Sequence, residues 1–441
     1  MIPLLIAGIA FFSPWGKVFQ YDVLSVNVVL GFGLLFFGTV TGRVYYGFKV
    51  YHYLFFLFMF NLMAAMATLY HHGFGSELTN AIKFFYYAIT TLICTAIPFN
   101  NKKMEQILII YFNSAAVMCL FSLLDYYEFV NIPGFNDWMN DYLVEGYETG
   151  KGVSGPFDTR TGIASYLSTV FPIGVFCFFA RTGLSRIFYG AATLIVVLTG
   201  LLSLSRGLYP AIALVFLAYT VKALQSRGMS RSLAIWRTLI FFSIFMLGAY
   251  FLIRTSSQQL HSIFVSRVSS LHIGEVSSSD ADMLRIWTFQ KTVLDLMDSP
   301  LGMGFSSVVL WTGESKNTHN ILTQVLRVAG FLGLIFFFTF LTPYIRKAWS
   351  QRGDPLLNCL NAIFVSFFIY GMTHNILGTL LFWIFLGLAM NRLFNPHYGS
   401  GGGIWNLPFR IVFKPVGPAP VPIRAATRAP VLKTPKPMRP S

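Results

Sequence analysis

The chain has 441 residues, 55% of them hydrophobic and only 11% charged, with a mean hydropathy of +0.62 and a formal net charge of +15. A soluble domain is nearer a quarter charged, and many segments here approach the ~20 apolar residues that cross a bilayer core. Soluble classes are therefore excluded. Spanning backbone must satisfy its own hydrogen bonds, which leaves a helix bundle or a closed barrel. Long unbroken apolar runs exclude the barrel, whose strands alternate over ~10 residues.

The expectation is an all-α polytopic membrane protein with about 12 transmembrane helices and external loop helices. Candidate spans lie near 2–15, 23–40, 53–69, 80–98, 107–126, 161–180, 187–204, 207–222, 238–255, 320–345, 355–373 and 376–393. The first has no basic leader region or small-residue cleavage site, so it reads as a retained helix rather than a signal peptide. The tenth contains Gly330 and Gly333, which predict a break. Cys94, Cys119, Cys177 and Cys359 each sit in an apolar run without a CxxC neighbour. They read as small core hydrophobes, not as a disulfide framework or metal site.

Basic residues in short loops set the orientation. With both termini cytoplasmic, the inside connections and tail hold 21 of the 32 Lys and Arg. Only Glu105 and Asp354, of 17 acids, fall on that side. The net charge is thus a topology signal, and no nucleic-acid partner is expected. The helical body covers 1–394, and the segment 395–441 reads as a basic, Pro-rich cytoplasmic tail. Its run after Lys414 cannot bury enough apolar surface to fold alone. It suits anionic inner-leaflet lipids or a docked cytoplasmic partner.

Two large external segments result, about 127–160 and 256–319. In the second, Met283, Ile286, Trp287, Leu294 and Met297 recur at helical spacing. Ser279 or Asp280 caps the start of this predicted helix, and Pro300 with Gly302 stops it. It reads as an amphipathic helix on the outer membrane surface or capping the bundle. Asp280-Ala281-Asp282 could hold a divalent cation, but acids at a helix start are better read as complementing its dipole. No GxxxxGK[ST] loop is present to support ATP-driven work.

Three polar residues stand at the external ends of apolar runs. Arg206, within Ser-Arg-Gly after a long apolar run, reads as a phosphate-binding fork or as an interfacial anchor. Arg285, on the predicted external helix, reads as an anion ligand or as part of a solvated face. His319, followed by Asn320 and an apolar helix, reads as a general base near neutral pH or as a helix-terminal hydrogen-bonding group. Together, two permanent cations and one base suit transfer of a group away from a diphosphate. Arg160 stands at another external helix start and could meet sugar or phosphate. His374-Asn375 reads as a turn between the last two spans. Tyr and Trp in 127–150 and Trp311 could stack on sugar rings or belong to an interfacial belt.

Four patches carry a family resemblance: SGPFDTRTGIASYL (154–167), LTGLLSLSRG (198–207), RIWTFQKTVLDLMDSPLGMGF (285–305) and THNILTQVLRVAGFLGL (318–334). Their order and content resemble the O-antigen polymerase/ligase family of bacterial envelope glycosyltransferases. The resemblance implies a GT-C-like fold in the bacterial inner membrane and a metal-independent reaction at its periplasmic face. The implied donor is a glycan on undecaprenyl diphosphate, and the acceptor is another glycan or lipid A-core. It implies no cofactor, and polysaccharide chain-length or flippase proteins as partners. By analogy Arg206 and Arg285 hold the diphosphate, with Arg160 and Asn320 as further substrate contacts, and His319 serves the acceptor hydroxyl. Thr161 and Val328 depart from the family pattern, and Arg327 is unexpected.

A polymerase is the leading reading, with a ligase close behind and a protein O-glycosyltransferase third. A lipid-linked glycan flippase would need several ionisable groups at mid-membrane depth, and the spans are nearly free of them. A structural scaffold would leave Arg206, Arg285 and His319 replaceable.

Overall fold

Apolar runs punctuated by Pro, Gly and short polar stretches fold as α-helices in the computed structural model. It describes residues 2–15, 20–21, 24–40, 48–75, 77–97, 99–136, 152–157, 159–205, 207–225, 280–310, 315–316, 318, 320–350, 354–374 and 377–394. In chain order the helices are α1 (Ile2–Phe12), α2 (Val26–Val40), α3 (Phe48–His72), α4 (Glu77–Ala96), α5 (Asn101–Tyr126) and α6 (Arg160–Ala180). Then come α7 (Gly183–Leu202), α8 (Leu208–Gln225), α9 (Asp280–Asp298), α10 (Ile321–Ser350), α11 (Pro355–Gly371) and α12 (Leu380–Phe394). Two short antiparallel ladders join β1 (Gln20–Tyr21) to β2 (Leu24–Ser25) and β3 (Val308–Val309) to β4 (Ser315–Lys316).

The expectation of about 12 transmembrane helices is corrected. Among the described residues, five helices are long and apolar enough to cross a membrane: Leu54–His72, Asn101–Tyr126, Thr161–Ala180, Gly183–Leu202 and Ile321–Arg346. The reason is length. The helices α1, α2, α11 and α12 have 11, 15, 17 and 15 residues. At ~1.5 Å per residue they reach about 16–26 Å, short of a ~30 Å core. The stretch Leu208–Tyr219 of α8, whose side chains are described, is apolar but too short to cross. The 20 residues of α4 include Glu77, Asn80, Lys83 and four threonines, which dilute its hydrophobicity. Counting apolar runs in sequence thus treated short buried helices as spans. The expected span 238–255, the tail 395–441 and residues 256–279 of the external segment lie outside the described residues. The long apolar helices remain those of a multi-pass membrane protein.

The core explains why helices without surface polarity stay together. The principal packed pairs are α3 with α10, α4 with α12, and α6 with both α7 and α11. Trp383, Tyr111, Tyr370, Phe112 and Phe171 are buried. Polar side chains cross between helices where water is absent. Tyr111 Oη lies 2.5 Å from Thr169 Oγ1, Ser366 Oγ donates to Ser168 O at 2.7 Å, and Asn391 Nδ2 donates to Thr95 O at 2.8 Å. Such bonds typically contribute about 0.6 kcal/mol each in membranes. The four cysteines are free and buried.

Two ion pairs stand at one end of the bundle. Glu105 and Asp354, the two acids among the basic connections, pair with Arg181 and Arg392, each at 2.5 Å. Asp354 also caps α11, accepting from Leu356 N at 3.0 Å and Leu357 N at 3.3 Å.

Of the apolar line expected on α9, Ile286, Leu294 and Met297 lie on its exposed side. Its buried line is Thr288, Thr292 and Leu296, while Ile286, Phe289, Val293, Leu294 and Met297 are exposed. The apolar stripe points away from the protein and a partly polar line faces inward. That distribution suits lipid on the outer side, where no hydrophobic penalty attaches to exposure.

Candidate functional site

The opposite end of the bundle is built by polar side chains that fasten loops to helix ends. Asn136 is buried with φ +53°. Its Oδ1 accepts from Ser154 N at 3.0 Å and Gly155 N at 2.8 Å. Its Nδ2 donates to Asp125 Oδ2 at 2.8 Å and Ser122 O at 3.1 Å. The backbone of Ser154 and Gly155 is thereby held on the end of α5. Gly155 has φ +56°, and a Cβ there would lie 2.6 Å from Ser122 Oγ. Just before it, Val153 N donates to Leu202 O at the end of α7.

This loop delivers the chain to α6. Thr159 caps that helix, its Oγ1 accepting from Gly162 N at 3.1 Å. Thr161 O then accepts from Tyr370 Oη at 2.8 Å. Ser205 Oγ lies 3.4 Å from the same phenol oxygen. Two residues on, Gly207 passes so close to the turn after α11 that a Cβ would overlap Thr373 Oγ1 and lie 3.2 Å from His374 Nδ1. Asn320 caps α10, its Oδ1 accepting from Leu322 N at 2.7 Å. Its Nδ2 donates to Met372 O at 2.9 Å. His374 lies flat on Tyr370, with ring centroids 4.5 Å apart and planes 6° apart, and its Nδ1 is 2.8 Å from Thr373 Oγ1.

One short stretch, Tyr370–His374, thus holds the amino ends of α6, α8 and α10. Each helix amino terminus carries about half a positive charge. The stretch itself is the carboxy end of α11, whose dipole opposes theirs, and Gly162 N, Leu322 N and Thr323 N are taken by the Thr159 and Asn320 caps.

Arg206 and His319 themselves lie outside the described residues. Arg160 opens α6 and Arg285 lies in α9, but their side chains are also outside. Arg160 precedes Thr161, Arg206 stands between Ser205 and Gly207, and His319 precedes Asn320. All three are therefore covalently adjacent to a residue fastened on the same stretch. Asn320, the described member of the expected set, is half-buried and spent on its cap and its tether. Arg285 is not brought to this turn by any contact of its described neighbours.

The helix carrying Arg285 is fixed through Arg327. This side chain is 4% exposed. Its Nη1 donates to Asp295 Oδ2 of α9 at 2.7 Å, Nη2 to Ser307 O at 2.7 Å, and Nε to Ser306 O at 3.1 Å. Lys291 Nζ donates to the other Asp295 oxygen at 2.6 Å. Arg327, unexpected in the sequence, is a clamp between α9, α10 and the loop after α9.

The same loop explains the glycines of Pro-Leu-Gly-Met-Gly. Gly302, Gly304 and Gly330 have φ of +94°, +74° and +66°. A Cβ on Gly302 would lie 2.6 Å from Gly330 N, and one on Gly330 would overlap Pro300 O. Gly330 is also where α10 bends, as its sequence predicts. Gly304 packs on the Thr68 backbone, and Thr68 Oγ1 accepts from Phe305 N at 3.0 Å.

Sequence reasoning assigned His374 to a turn, which is where it lies, but missed its place beside Gly207 and Tyr370. It also missed Tyr370, which reads in sequence as one more aromatic in an apolar helix. Among the described residues no three of His, Cys, Asp or Glu gather closely enough to hold a metal ion. No protein-family model matches the chain, and a search of curated proteins finds no similar sequence.

Proposed function

We propose that this chain is an integral membrane glycosyltransferase. It moves a glycan from undecaprenyl diphosphate to an acceptor hydroxyl at the periplasmic face, without a metal, as a surface-polysaccharide polymerase. The observation that supports this reading is the gathering of three helix amino termini, each adjacent to Arg160, Arg206 or His319, on the Tyr370–His374 stretch. Two arginines and a candidate base, each next in the chain to a residue fastened on one turn, suit a diphosphate leaving group.

In this reaction the acceptor oxygen attacks the anomeric carbon. The bond from that carbon to the phosphate oxygen breaks, and the electron pair leaves with the lipid diphosphate. Arginines stabilise the charge developing there, and His319 takes the hydroxyl proton.

The test is an in vitro transfer assay. Purified protein receives undecaprenyl-diphosphate oligosaccharide alone, then with lipid A-core, beside Arg206→Ala and His319→Ala. Longer glycans from donor alone, lost in both variants by roughly 100-fold or more, support the polymerase. Product only with lipid A-core makes it a ligase. Translocation of the lipid-linked glycan without transfer overturns the proposal in favour of a flippase.

A further inference from the structure

We propose that Tyr370 and Thr373, with His374 stacked on the tyrosine, form a positioning unit for this site. They set the backbone on either side of residue 206 relative to the starts of α6 and α10. The inference rests on the transferase reading and adds residues that the motif patches do not contain.

Four contacts carry it. The Tyr370 hydroxyl meets Thr161 O at 2.8 Å and Ser205 Oγ at 3.4 Å, so one oxygen ties the start of α6 to the residue before 206. Thr373 Oγ1 abuts Gly207, the residue after 206, with no room for even a methyl group between them. The same hydroxyl donates to Tyr370 O at 2.9 Å and meets His374 Nδ1 at 2.8 Å, so its position is fixed by two partners. Met372 O, between them, receives the Asn320 amide. The unit stands on buried Tyr370, which is 0% exposed.

The physical consequence is that Ser205 and Gly207, the described residues on either side of position 206, both meet one buried element. A guanidinium that stabilises charge only in the transition state must be placed within about half an ångström to act. Misplacement of about 1 Å can cost ~100-fold in rate without changing the fold. Groups that hold the backbone without touching the substrate should act on turnover more than on donor affinity.

Three variants test this in the transfer assay, with the melting temperature in detergent measured on the same samples. Tyr370→Phe keeps the ring on His374 and removes only the hydroxyl. Thr373→Val keeps the volume and removes the hydroxyl, and Thr373→Ser returns it. The first two should lower kcat roughly 10- to 100-fold with donor KM within about threefold. Thr373→Ser should recover most of the rate. The melting temperature should not track the rate across the three. Wild-type kcat in Tyr370→Phe and Thr373→Val, beside an active wild type, overturns the unit alone. So does a rate loss that follows the loss of melting temperature. Absence of transfer by the wild type with every acceptor overturns the transferase reading and this inference with it.

Discussion

Arg327 and Asp295 meet at 2.7 Å, with 4% and 11% of their side chains exposed, and this pair joins the helix of Arg285 to the helix that follows His319. Removing one member of a buried ion pair strands the other, which typically costs about 3–5 kcal/mol. Asp295→Ala leaves a buried guanidinium with only neutral partners, the Ser306 and Ser307 carbonyls and the Ser306 hydroxyl. Arg327→Met leaves Asp295 with Lys291, 2.6 Å away. Asp295→Ala should therefore lower the melting temperature more than Arg327→Met. The double variant should lose less than the two single losses added. Equal single effects that add fully would show that the two groups are not coupled.

Gly330 tests the loop interlock. Alanine there must hold φ +66° and place a methyl group on Pro300 O. Gly330→Ala should cost about 2–4 kcal/mol and reduce folded yield from membranes. Gly378→Ala is the control, since a Cβ there meets nothing within 4 Å. Matching thermal stability of the two variants would refute the close packing of α10 against the Pro300–Gly302 loop.

Asn136 makes four hydrogen bonds from a buried side chain. Asn136→Ala leaves the N–H groups of Ser154 and Gly155 without their acceptor. The expected cost is about 2–4 kcal/mol, from two stranded buried donors. Limited proteolysis should then open the chain near 152–157 before the helices. Resistance equal to wild type there would mean that other contacts hold this loop.

Asn320 separates capping from tethering. Asn320→Ala removes both and should cost about 1 kcal/mol through the cap. Asn320→Ser keeps a capping oxygen but has no amide to reach Met372 O. Serine should therefore restore the melting temperature while transfer stays low in both variants. Transfer restored by serine would show that the bond to Met372 does not help to position residue 319.

Much of the architecture was legible because it depends on local composition. Helix type, the break at Gly330 and the buried cysteines follow from apolar period and backbone freedom along the chain. The number of spans did not follow. Apolar length in sequence includes residues beyond helix ends. A short helix such as Leu380–Phe394 is as hydrophobic as a span because other helices surround it.

The sequence by itself determined that these helices cannot live in water and which residues carry charge or a titratable ring outside them. Those are properties of single side chains. Only the tertiary structure decided that Thr161, Ser205, Gly207 and Asn320 share the Tyr370–His374 stretch, and that Arg327 is committed to Asp295. Contacts across 32 to 209 residues depend on how helix ends pack. Tyr370 in α11 looks like any lipid-facing aromatic until its hydroxyl is placed against the start of α6.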